Sequence, residues 1–467
     1  MHTESVSSRR MPFVWAPLAA ALVLAGCSFA PTYERPEAPV SANWPASVAS
    51  SVETGVTKEL AWREFVQDAR LRELMDLALK NNRDLRVAAL NIEQVRGQYQ
   101  IQRAALFPAL NGAATGSRQS SDGDTITSAY SAGLSVSGWE LDLFGRIASL
   151  KETALAQYLA SEETRNAAQA SLVASVSSTW LSVQADDELL ALTQDTLKTR
   201  EDSLRLTQLR FKNGVASALD LRQAESLLAA AQGTLAQLQR QRALDLNALT
   251  QLVGQAVPEG LLPSGKSSAA PFSDVPVGLP SEVLMRRSDI RAAEQSLIGA
   301  NANIGAARAA FFPRISLTAS VGSASSELSG LFKSGSWGFS LAPQALLPIF
   351  DAGRNQAGLD VAKAQRDIAV AQYEKAIQTA FREVSDALAG RATLSQQWAA
   401  QQAQAEAEAE RFRLSEVRYR NGVASFLEVL DAQRSLFATQ QALAQTRLAL
   451  LQNQVALYKA LGGGWAP

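Results

Sequence analysis

Histidine and cysteine provide most catalytic bases, nucleophiles and soft metal ligands, and each occurs once in the 467 residues, as His2 and Cys27. If residues 1–26 form a cleaved signal peptide, no histidine remains. The sequence therefore excludes a Ser-His-Asp triad, a Cys-His pair, a His/Cys zinc site and an internal disulfide. Because only carboxylate chemistry stays open, we predict no catalytic residues, no metal site and no enzyme activity.

The amino-terminal residues have the three parts of a bacterial export signal. Arg9 and Arg10 provide positive charge, and residues 11–22 are apolar but too few to span a bilayer. Leu-Ala-Gly then precedes Cys27, as in lipoprotein signals, and the following Ser28 is typical of outer-membrane lipoproteins. We predict a covalent lipid on Cys27, which would hold the protein on a membrane, and no other cofactor. Residues 27–60, rich in Pro, Ser and Ala, are predicted to form a lipidated tether.

The overall composition narrows the class of protein further. The 44 Lys and Arg residues nearly balance the 45 Asp and Glu residues, so the formal net charge is −1. Such a balance provides no basic surface for nucleic acid, which we therefore exclude as a partner. Hydrophobic residues make up 47% but aromatic residues only 7%. This mixture favours long helices packed by small residues over one large globular core.

The chain contains an internal duplication, a feature that decides the architecture of repeat proteins. The segment FKNGVAS at 211–217 recurs as YRNGVAS at 419–425, an offset of 208 residues. The pair Gly145-Arg146 recurs at the same offset, and RAALFP at 103–108 recurs as RAAFFP at an offset of 205. We therefore predict a first repeat at 61–254, a Pro-rich linker at 255–280 and a second repeat at 281–467.

Each repeat is predicted to contain a helix, two short strands, a very long helix, an Asn-Gly turn and a second long helix. The runs 146–212 and 354–420 contain no proline. At 1.5 Å per residue each would be roughly 100 Å long. Apolar residues recur every seven positions along these helices, which predicts a coiled coil. In the first repeat, this heptad pattern comprises Leu190, Leu197, Leu204 and Phe211.

Two stretches, at about 109–142 and 314–347, alternate apolar residues with Ser, Thr and Gly and predict β-hairpins. One apolar and one polar face are typical of a membrane barrel around a wet lumen, although an ordinary half-buried sheet has the same pattern. Four strands cannot close a barrel, and lipid does not tolerate open edges. Three copies supply twelve strands, enough for a lumen. We predict a mainly α fold with a β-barrel portion: a trimeric tube in which four strands per chain form a shared 12-stranded barrel, continued by a coiled-coil periplasmic barrel.

These features resemble the outer-membrane factor family of the TolC type, most closely its lipoprotein, OprM-like branch. The resemblance rests on LAGC at 24–27, the duplicated order of elements, the turns, LDAQ at 430–433 and YKALGGGW at 458–465. The resemblance covers essentially the whole mature chain. It implies a homotrimeric exit duct in the outer membrane of a Gram-negative bacterium, extending into the periplasm. Such a duct docks on a periplasmic adaptor and an inner-membrane pump and carries drugs or other small molecules outward.

The turns between the long helices have a structural explanation in the sequence. The glycine of each Asn-Gly pair can end a helix in the left-handed conformation. Ser217 with Asp220, and Ser425 with Glu428, have the spacing of a capping box that starts the next helix. The resemblance adds a functional expectation, that the turns meet the adaptor and the following residues narrow a gate. The predicted adaptor contacts are Gly214, Val215, Gly422 and Val423, and the predicted gate residues are Leu427, Asp431, Asp220 and Glu428.

Asp431 is the gate residue that helix capping does not explain. Around a threefold axis, three copies would form a ring of negative charge that favours cations. A solvated acidic helix face is the alternative interpretation. Ala216 and Ala424 stand where some family members carry a basic residue, so no gate ion pair is predicted from that position.

Two other classes of function are alternatives to the duct. The alternative is an outer-membrane-anchored structural coiled-coil lipoprotein without a pore, which would not need the alternating strands. An enzyme that cleaves cell-wall glycan with two carboxylates would need a cleft, and the elongated repeats offer no globular segment to form one.

Overall fold

The computed structural model describes residues 29–41, 43–44, 60–120, 123, 125–263, 271–275 and 286–464. Cys27, the predicted lipidation site, lies outside these residues. The described chain is mainly helical and contains one small sheet. Its elements, in order, are α1 (Trp62–Phe65), α2 (Ala69–Asn81), α3 (Arg83–Ala104), β1 (Leu110–Ser120), β2 (Ile126–Leu141), α4 (Arg146–Lys212), α5 (Ala218–Val253), α6 (Ser288–Ala309), β3 (Arg314–Ser325), β4 (Trp337–Leu346), α7 (Arg354–Arg420) and α8 (Phe426–Ala460).

The two repeats have the same order of elements, as predicted. Helix, hairpin, long helix, turn and second long helix occur as α3 to α5 and again as α6 to α8. The long helices α4 and α7 each contain 67 residues and have the predicted bounds. Each start is capped by a nearby aspartate, although the two aspartates are not repeat equivalents at the 208-residue offset. The carboxylate of Asp142 accepts hydrogen bonds from the amides of Ile147 and Ala148 in α4, and that of Asp351 accepts from Gly353, just before α7, and Asn355.

The chain divides into two compact units, of which the first contains the sheet. Its described segments fall within 1–37, 92–161 and 293–373. The strands form one antiparallel sheet in the order β1-β2-β3-β4. Only β2 and β3 have a neighbour on both sides, so β1 and β4 are edge strands in the described chain. The predicted hairpins are therefore present, and β2–β3 pairing joins the repeats.

The pairing register places the apolar side chains of all four strands on one face of the sheet. Leu134 of β2 lies opposite Val321 of β3, and Val321 lies opposite Phe339 of β4. These three side chains are exposed to solvent by 48%, 50% and 84%, respectively. The other face carries small polar groups, including Thr115 and Ser131, whose hydroxyl oxygens are 2.7 Å apart. The alternation predicted from the sequence is therefore real, and its apolar face is uncovered in the described chain.

The described residues 29–37, within the stretch predicted to be a tether, belong to the first unit. The ring of Phe29 stacks on Phe312, with centroids 4.5 Å apart. Arg35 forms two hydrogen bonds to the carboxylate of Glu294, at 2.7 and 3.0 Å. Asn301 of α6 donates to the carbonyl of Pro31. These are tertiary contacts, so the Pro, Ser and Ala content of the segment does not predict them.

The second unit, within residues 38–91, 162–292 and 374–467, contains the larger hydrophobic core. Phe65 stacks between Tyr458 and Phe272, with centroid distances of 3.9 and 4.8 Å. Trp180 is buried and donates its indole N–H to the carbonyl of Leu261. These aromatic side chains anchor α4, through Trp180, and α8, through Tyr458, in the core of this unit. Burying each of them contributes roughly 2–3 kcal/mol.

The heptad side chains of the second unit are only partly packed together. Trp398 and Phe412 of α7, with Leu436 and Leu443 of α8, line a groove of about 940 Å³ that α4 also borders. Ala405, the heptad position between Trp398 and Phe412, carries only a methyl group and leaves this space open. The predicted seam is therefore an open groove here.

Candidate functional site

The two Asn-Gly turns have the same backbone conformation. Gly214 has φ = 72° and Gly422 has φ = 75°, both in the left-handed region that glycine adopts without steric cost. The amide of Val215 donates to the carbonyl of Arg210, and that of Val423 donates to Arg418. Together with the glycine amide bonds, this is the Schellman arrangement that satisfies the last carbonyls of a helix. The predicted structural role of both glycines is therefore confirmed by the geometry.

The helices that follow the turns start differently, in contrast to the prediction. Ser217 and Asp220 form a complete capping box, with side chain to backbone bonds of 3.1 Å in both directions. Ser425 makes no side-chain capping bond. The carboxylate of Glu428 lies 3.8 Å from the guanidinium of Arg418 instead. The second capping box predicted from the spacing is therefore wrong.

The two turns are joined by a contact between the halves of the chain. Arg210, at the end of α4, donates a hydrogen bond to the hydroxyl of Tyr419, at the end of α7. Its Cζ also lies 5.1 Å from the centre of the Tyr419 ring, which is cation–π distance. On the other side, Tyr419 packs against Phe426, the first residue of α8, with centroids 5.1 Å apart. Tyr419 therefore connects the first turn to the second.

The carboxylate of Asp431 is held between two cations. One oxygen accepts from Arg411 of α7 and the other from Arg434 of α8, each at 2.6 Å. The hydrogen bond from Arg411 is the main cause that lowers the pKa of Asp431 below its ordinary value, and the charge of Arg434 adds to it. Asp431 is therefore ionised but neutralised locally. Gln223 occupies the equivalent position in the first repeat, so this arrangement belongs to the second repeat alone.

The remaining predicted gate and contact residues lie on exposed surface near the turns. Leu427 is 50% exposed and lies one helical turn before Asp431 on the same face of α8. Its equivalent in the first repeat, Leu219, is 64% exposed. Val215 and Val423, beside the turn glycines, are 65% and 69% exposed. The turns therefore present apolar side chains to solvent.

Three residues of this site were not singled out from the sequence. Arg434 is three residues beyond Asp431, and that spacing on a helix was a usable signal for an ion pair. Arg411 is 20 residues before Asp431, across a helix reversal, and Arg210 is 209 residues before Tyr419. Only the packing of the helices brings these partners together.

No group of three or more His, Cys, Asp or Glu side chains in the described ranges is arranged to hold a metal ion.

None of the helices in the described part of the chain combines the length and hydropathy that a membrane-spanning helix requires.

The duplicated helix and strand order, the four-stranded sheet and the matched turns can be compared with known proteins. The family model described as "Outer membrane efflux protein" matches residues 74–255 and 279–463, which include both repeats. The chain belongs to the outer membrane efflux protein family.

Individual members of the family match nearly the whole chain. The antibiotic efflux pump outer membrane protein ArpC of Pseudomonas putida is 51% identical over 455 residues, 95% of this chain and 94% of that protein. The toluene efflux pump outer membrane protein TtgC of the same species has the same identity and coverage. The crystal structure of the open state of the Neisseria gonorrhoeae MtrE outer membrane channel matches with a TM-score of 0.86 and 41% identity. That match covers 94% of this chain and 99% of the MtrE chain.

Membership of the outer membrane efflux protein family confirms three predictions made from the sequence. The fold class is that of TolC-type channels, the location is the outer membrane with extension into the periplasm, and the role is that of the outer-membrane channel in efflux. The family is one of transport channels. The lipid on Cys27, the gate residues and the adaptor contacts stay predictions.

Proposed function

We propose that three copies of this chain form a passive exit duct, which works with a periplasmic adaptor and an inner-membrane pump. The observation that carries this proposal is the four-stranded sheet with one uncovered apolar face and two edge strands. Unpaired backbone groups at a sheet edge are costly in lipid. Pairing among three copies satisfies them and supplies twelve strands, enough to surround a lumen. The duct uses no nucleotide or other soluble cofactor, and the pump supplies the energy.

The residues after the second turn form the periplasmic gate in this proposal. Leu427, exposed on α8, provides a steric constriction. Each copy contributes the carboxylate of Asp431 to the mouth, and the pairing of this carboxylate with Arg411 limits the negative charge there. Asp220 and Glu428 act through the shape of the turns, since the first caps α5 and the second lies near Arg418.

The turns are the proposed docking surface for the adaptor. Gly214 and Gly422 reverse the chain so that Val215 and Val423 are exposed at the helix ends. Exposed apolar side chains grouped at a fixed backbone turn favour a protein partner. Binding of the adaptor at the turns would supply the energy that opens the gate, because Arg210 and Tyr419, which contact each other, lie next to these turns.

The lipid is a second proposal, which rests on the sequence around Cys27. Replacement of Cys27 by Ser should abolish acylation, and mass spectrometry should show the precursor without lipid. The sheet, rather than the lipid, spans the membrane in our proposal, so the variant should still yield folded trimers. Loss of trimers in Cys27→Ser would show instead that the lipid is needed for assembly.

The proposed cargo consists of apolar or amphiphilic organic molecules of low molecular mass. The names of ArpC and TtgC refer to antibiotics and toluene. In our proposal the polar face of the sheet, with Thr115 and Ser131, lines the lumen. Small hydroxyl groups select weakly among neutral molecules, so the duct should pass many compounds.

The experiment that tests the duct combines mass and conductance. Purified full-length protein in detergent should have the mass of three chains, with no stable folded monomer. In a planar bilayer it should form channels of low basal conductance. A monodisperse monomer that keeps its β-sheet signal and forms no channel would contradict the proposal. It would favour a structural lipoprotein without a pore.

A further inference from the structure

The groove of about 940 Å³ in the second unit has three sides, one on each of α4, α7 and α8. Apart from Pro271, its lining residues lie on these helices, from Glu188 to Thr199 on α4 and from Trp398 to Phe412 on α7. At 1.5 Å per residue, the side on α7 is about 21 Å long. Sites for small organic molecules have volumes of roughly 300–1,000 Å³. The groove therefore has the size of such a site, and it lies within one chain and one unit.

The charged side chains that line the groove are unbalanced. Three carboxylates, those of Glu188, Asp195 and Glu406, stand against one cation, Arg447. Glu188 lies 3.6 Å from Arg447, which pairs these two charges. Asp195 and Glu406 form no ion pair with any residue in the described ranges, and Glu406 accepts only a hydrogen bond from Gln402 of its own helix. Two negative charges are therefore unopposed in the groove, one on α4 and one on α7.

Asp195 and Glu406 lie at nearly the same height along their helices. Helices α4 and α7 have the same length, end at equivalent turns and are joined by the contact of Arg210 with Tyr419. Residues 208 apart are therefore about level, which places Asp195 beside Ala403, three residues before Glu406 on α7. Three residues of helix correspond to about 4.5 Å. Both negative charges therefore act on the same part of the groove.

Gln433 of α8 contributes a buried acceptor to the groove. Its side chain lines the groove and is 6% exposed, and its Oε1 accepts no hydrogen bond from the described residues. The pair of Arg411 with Asp431 aligns α7 with α8, so Gln433 is level with a point about one turn beyond Glu406. A buried acceptor without a donor costs free energy. An N–H group bound beside Glu406 would remove that cost.

Aromatic side chains provide apolar contacts at both ends of the groove. Trp398 and Phe412 lie at the two ends of the side formed by α7. The faces of such rings attract cations within about 6 Å of the ring centre. Phe437 of α8 already makes a contact of this kind, since its ring centre lies 5.1 Å from Cζ of Arg200. Trp398 and Phe412 are therefore the rings available to a ligand.

We propose that this groove binds a small organic cation, a protonated amine on an aromatic or other apolar body. The ammonium group lies beside Glu406, within about one helical turn of both Asp195 and Gln433, and the body packs on the aromatic rings. A metal ion is not favoured, because no group of three or more His, Cys, Asp or Glu side chains in the described ranges is arranged to hold one. A single chain forms the site, so the inference goes beyond the proposed duct and does not depend on three copies.

Titration of the purified full-length protein with naphthylmethylamine tests the site. This probe carries an ammonium group on an aromatic body, and naphthylmethanol is a neutral compound of nearly the same shape. Isothermal titration calorimetry should show one amine bound per chain, and the melting temperature should rise with amine concentration. The alcohol should bind about tenfold or more weakly, because it brings no charge to the carboxylates. Magnesium ions alone should not raise the melting temperature to the same extent.

Two double variants separate the groove from the general charge of the helices. Asp195→Asn with Glu406→Gln removes both unopposed carboxylates and should weaken amine binding about tenfold or more, with little effect on the alcohol. Asp202→Asn with Glu410→Gln is the matched control, because it removes the same charges from exposed positions of α4 and α7 outside the groove. The control should bind the amine as wild type does.

Three results would overturn the site. These are equal affinity of wild type for amine and alcohol, equal amine affinity of the two double variants, and stabilisation by magnesium that matches stabilisation by the amine. The comparison of amine with alcohol uses wild type alone, so it decides the question even if a variant fails to fold. None of these measurements depends on conductance or on the number of chains, so failure of the site and failure of the proposed duct are distinguishable.

Discussion

Arg210 and Tyr419 meet although neither is the repeat equivalent of the other. The equivalent of Arg210 is Arg418, and that of Tyr419 is Phe211, which has no hydroxyl. The duplication has therefore produced an unsymmetrical contact, in which the first turn supplies the cation and the second supplies the phenol. A cation–π contact with a hydrogen bond at a partly exposed position contributes about 1 kcal/mol or more.

Removal of the Tyr419 side chain should loosen the closed entrance. Tyr419→Ala loses the ring and the hydroxyl, so we expect a higher basal single-channel conductance than wild type. Tyr419→Phe keeps the ring and should have a smaller effect. Phe211→Ala, at the equivalent position, is the matched control. An increase in the control equal to that of Tyr419→Ala would contradict a specific role for the Arg210 contact.

Leu427 should act as a steric constriction. Leu427→Ala removes three carbons from each copy at the proposed mouth, so basal conductance should rise. Leu219→Ala is the matched control, because it makes the same change at the equivalent exposed position of the first repeat. Equal conductance of Leu427→Ala and wild type in planar bilayers would remove Leu427 from the gate.

The charge at Asp431 should depend on Arg411. Asp431→Asn removes a carboxylate from each copy, which should weaken cation preference in reversal potentials across a salt gradient. Arg411→Gln leaves the carboxylate with Arg434 alone and should strengthen that preference. Because both side chains are 40% or more exposed, their ion pair itself contributes little to folding stability. Identical reversal potentials for the two variants would show that this cluster does not face the permeating ions.

The two serines before α5 and α8 should differ in their contribution to stability. Ser217 closes a capping box, so Ser217→Ala should lower the free energy of unfolding by about 1 kcal/mol per chain. Ser425 makes no capping bond, and Ser425→Ala should have a much smaller effect. Thermal unfolding in detergent measures both. A larger loss in Ser425→Ala would mean that the second turn is stabilised by a bond absent from this structure.

Asp186 should make the stability of the protein depend on pH. It is 6% exposed on α4, and burial raises its pKa to about 7, with further contributions from the Asp245 carboxylate and Asp187. An unfolded Asp loses its proton near pH 4. Between about pH 4 and pH 7 the folded chain therefore holds the extra proton, and this group's contribution to stability falls as pH rises.

The equivalent of Asp245 in the second repeat is Asn453, so Asp245→Asn provides a matched test. The asparagine amide can donate a hydrogen bond to the Asp186 carboxylate, and the substitution removes the negative charge that repels this carboxylate. The melting temperature of wild type should fall more steeply between pH 5 and pH 8 than that of Asp245→Asn. Parallel profiles would show that Asp186 does not retain its proton at neutral pH.

The sequence predicted local features well and tertiary contacts poorly, for physical reasons. The bounds of α4 and α7 follow from the absence of proline and the Asn-Gly turns, which are properties of neighbouring residues. The strand faces follow from a period of two. The contact of Asp431 with Arg411 depends on the rotation of α7 against α8, which no local pattern encodes. Ser425 shows the same limit, since its spacing to Glu428 matches a capping box that does not form in the structure.

The equal lengths of α4 and α7 limit how the gene can change by insertion and deletion. Loss of one residue from α4 would shift its end by about 1.5 Å and rotate it by about 100°, so Arg210 would point away from Tyr419. The same loss from α7 would misplace the other partner. A shift of seven residues in both helices together, by contrast, restores the rotation to within about 20°. Viable length variants should therefore change both halves at once, in steps of a heptad.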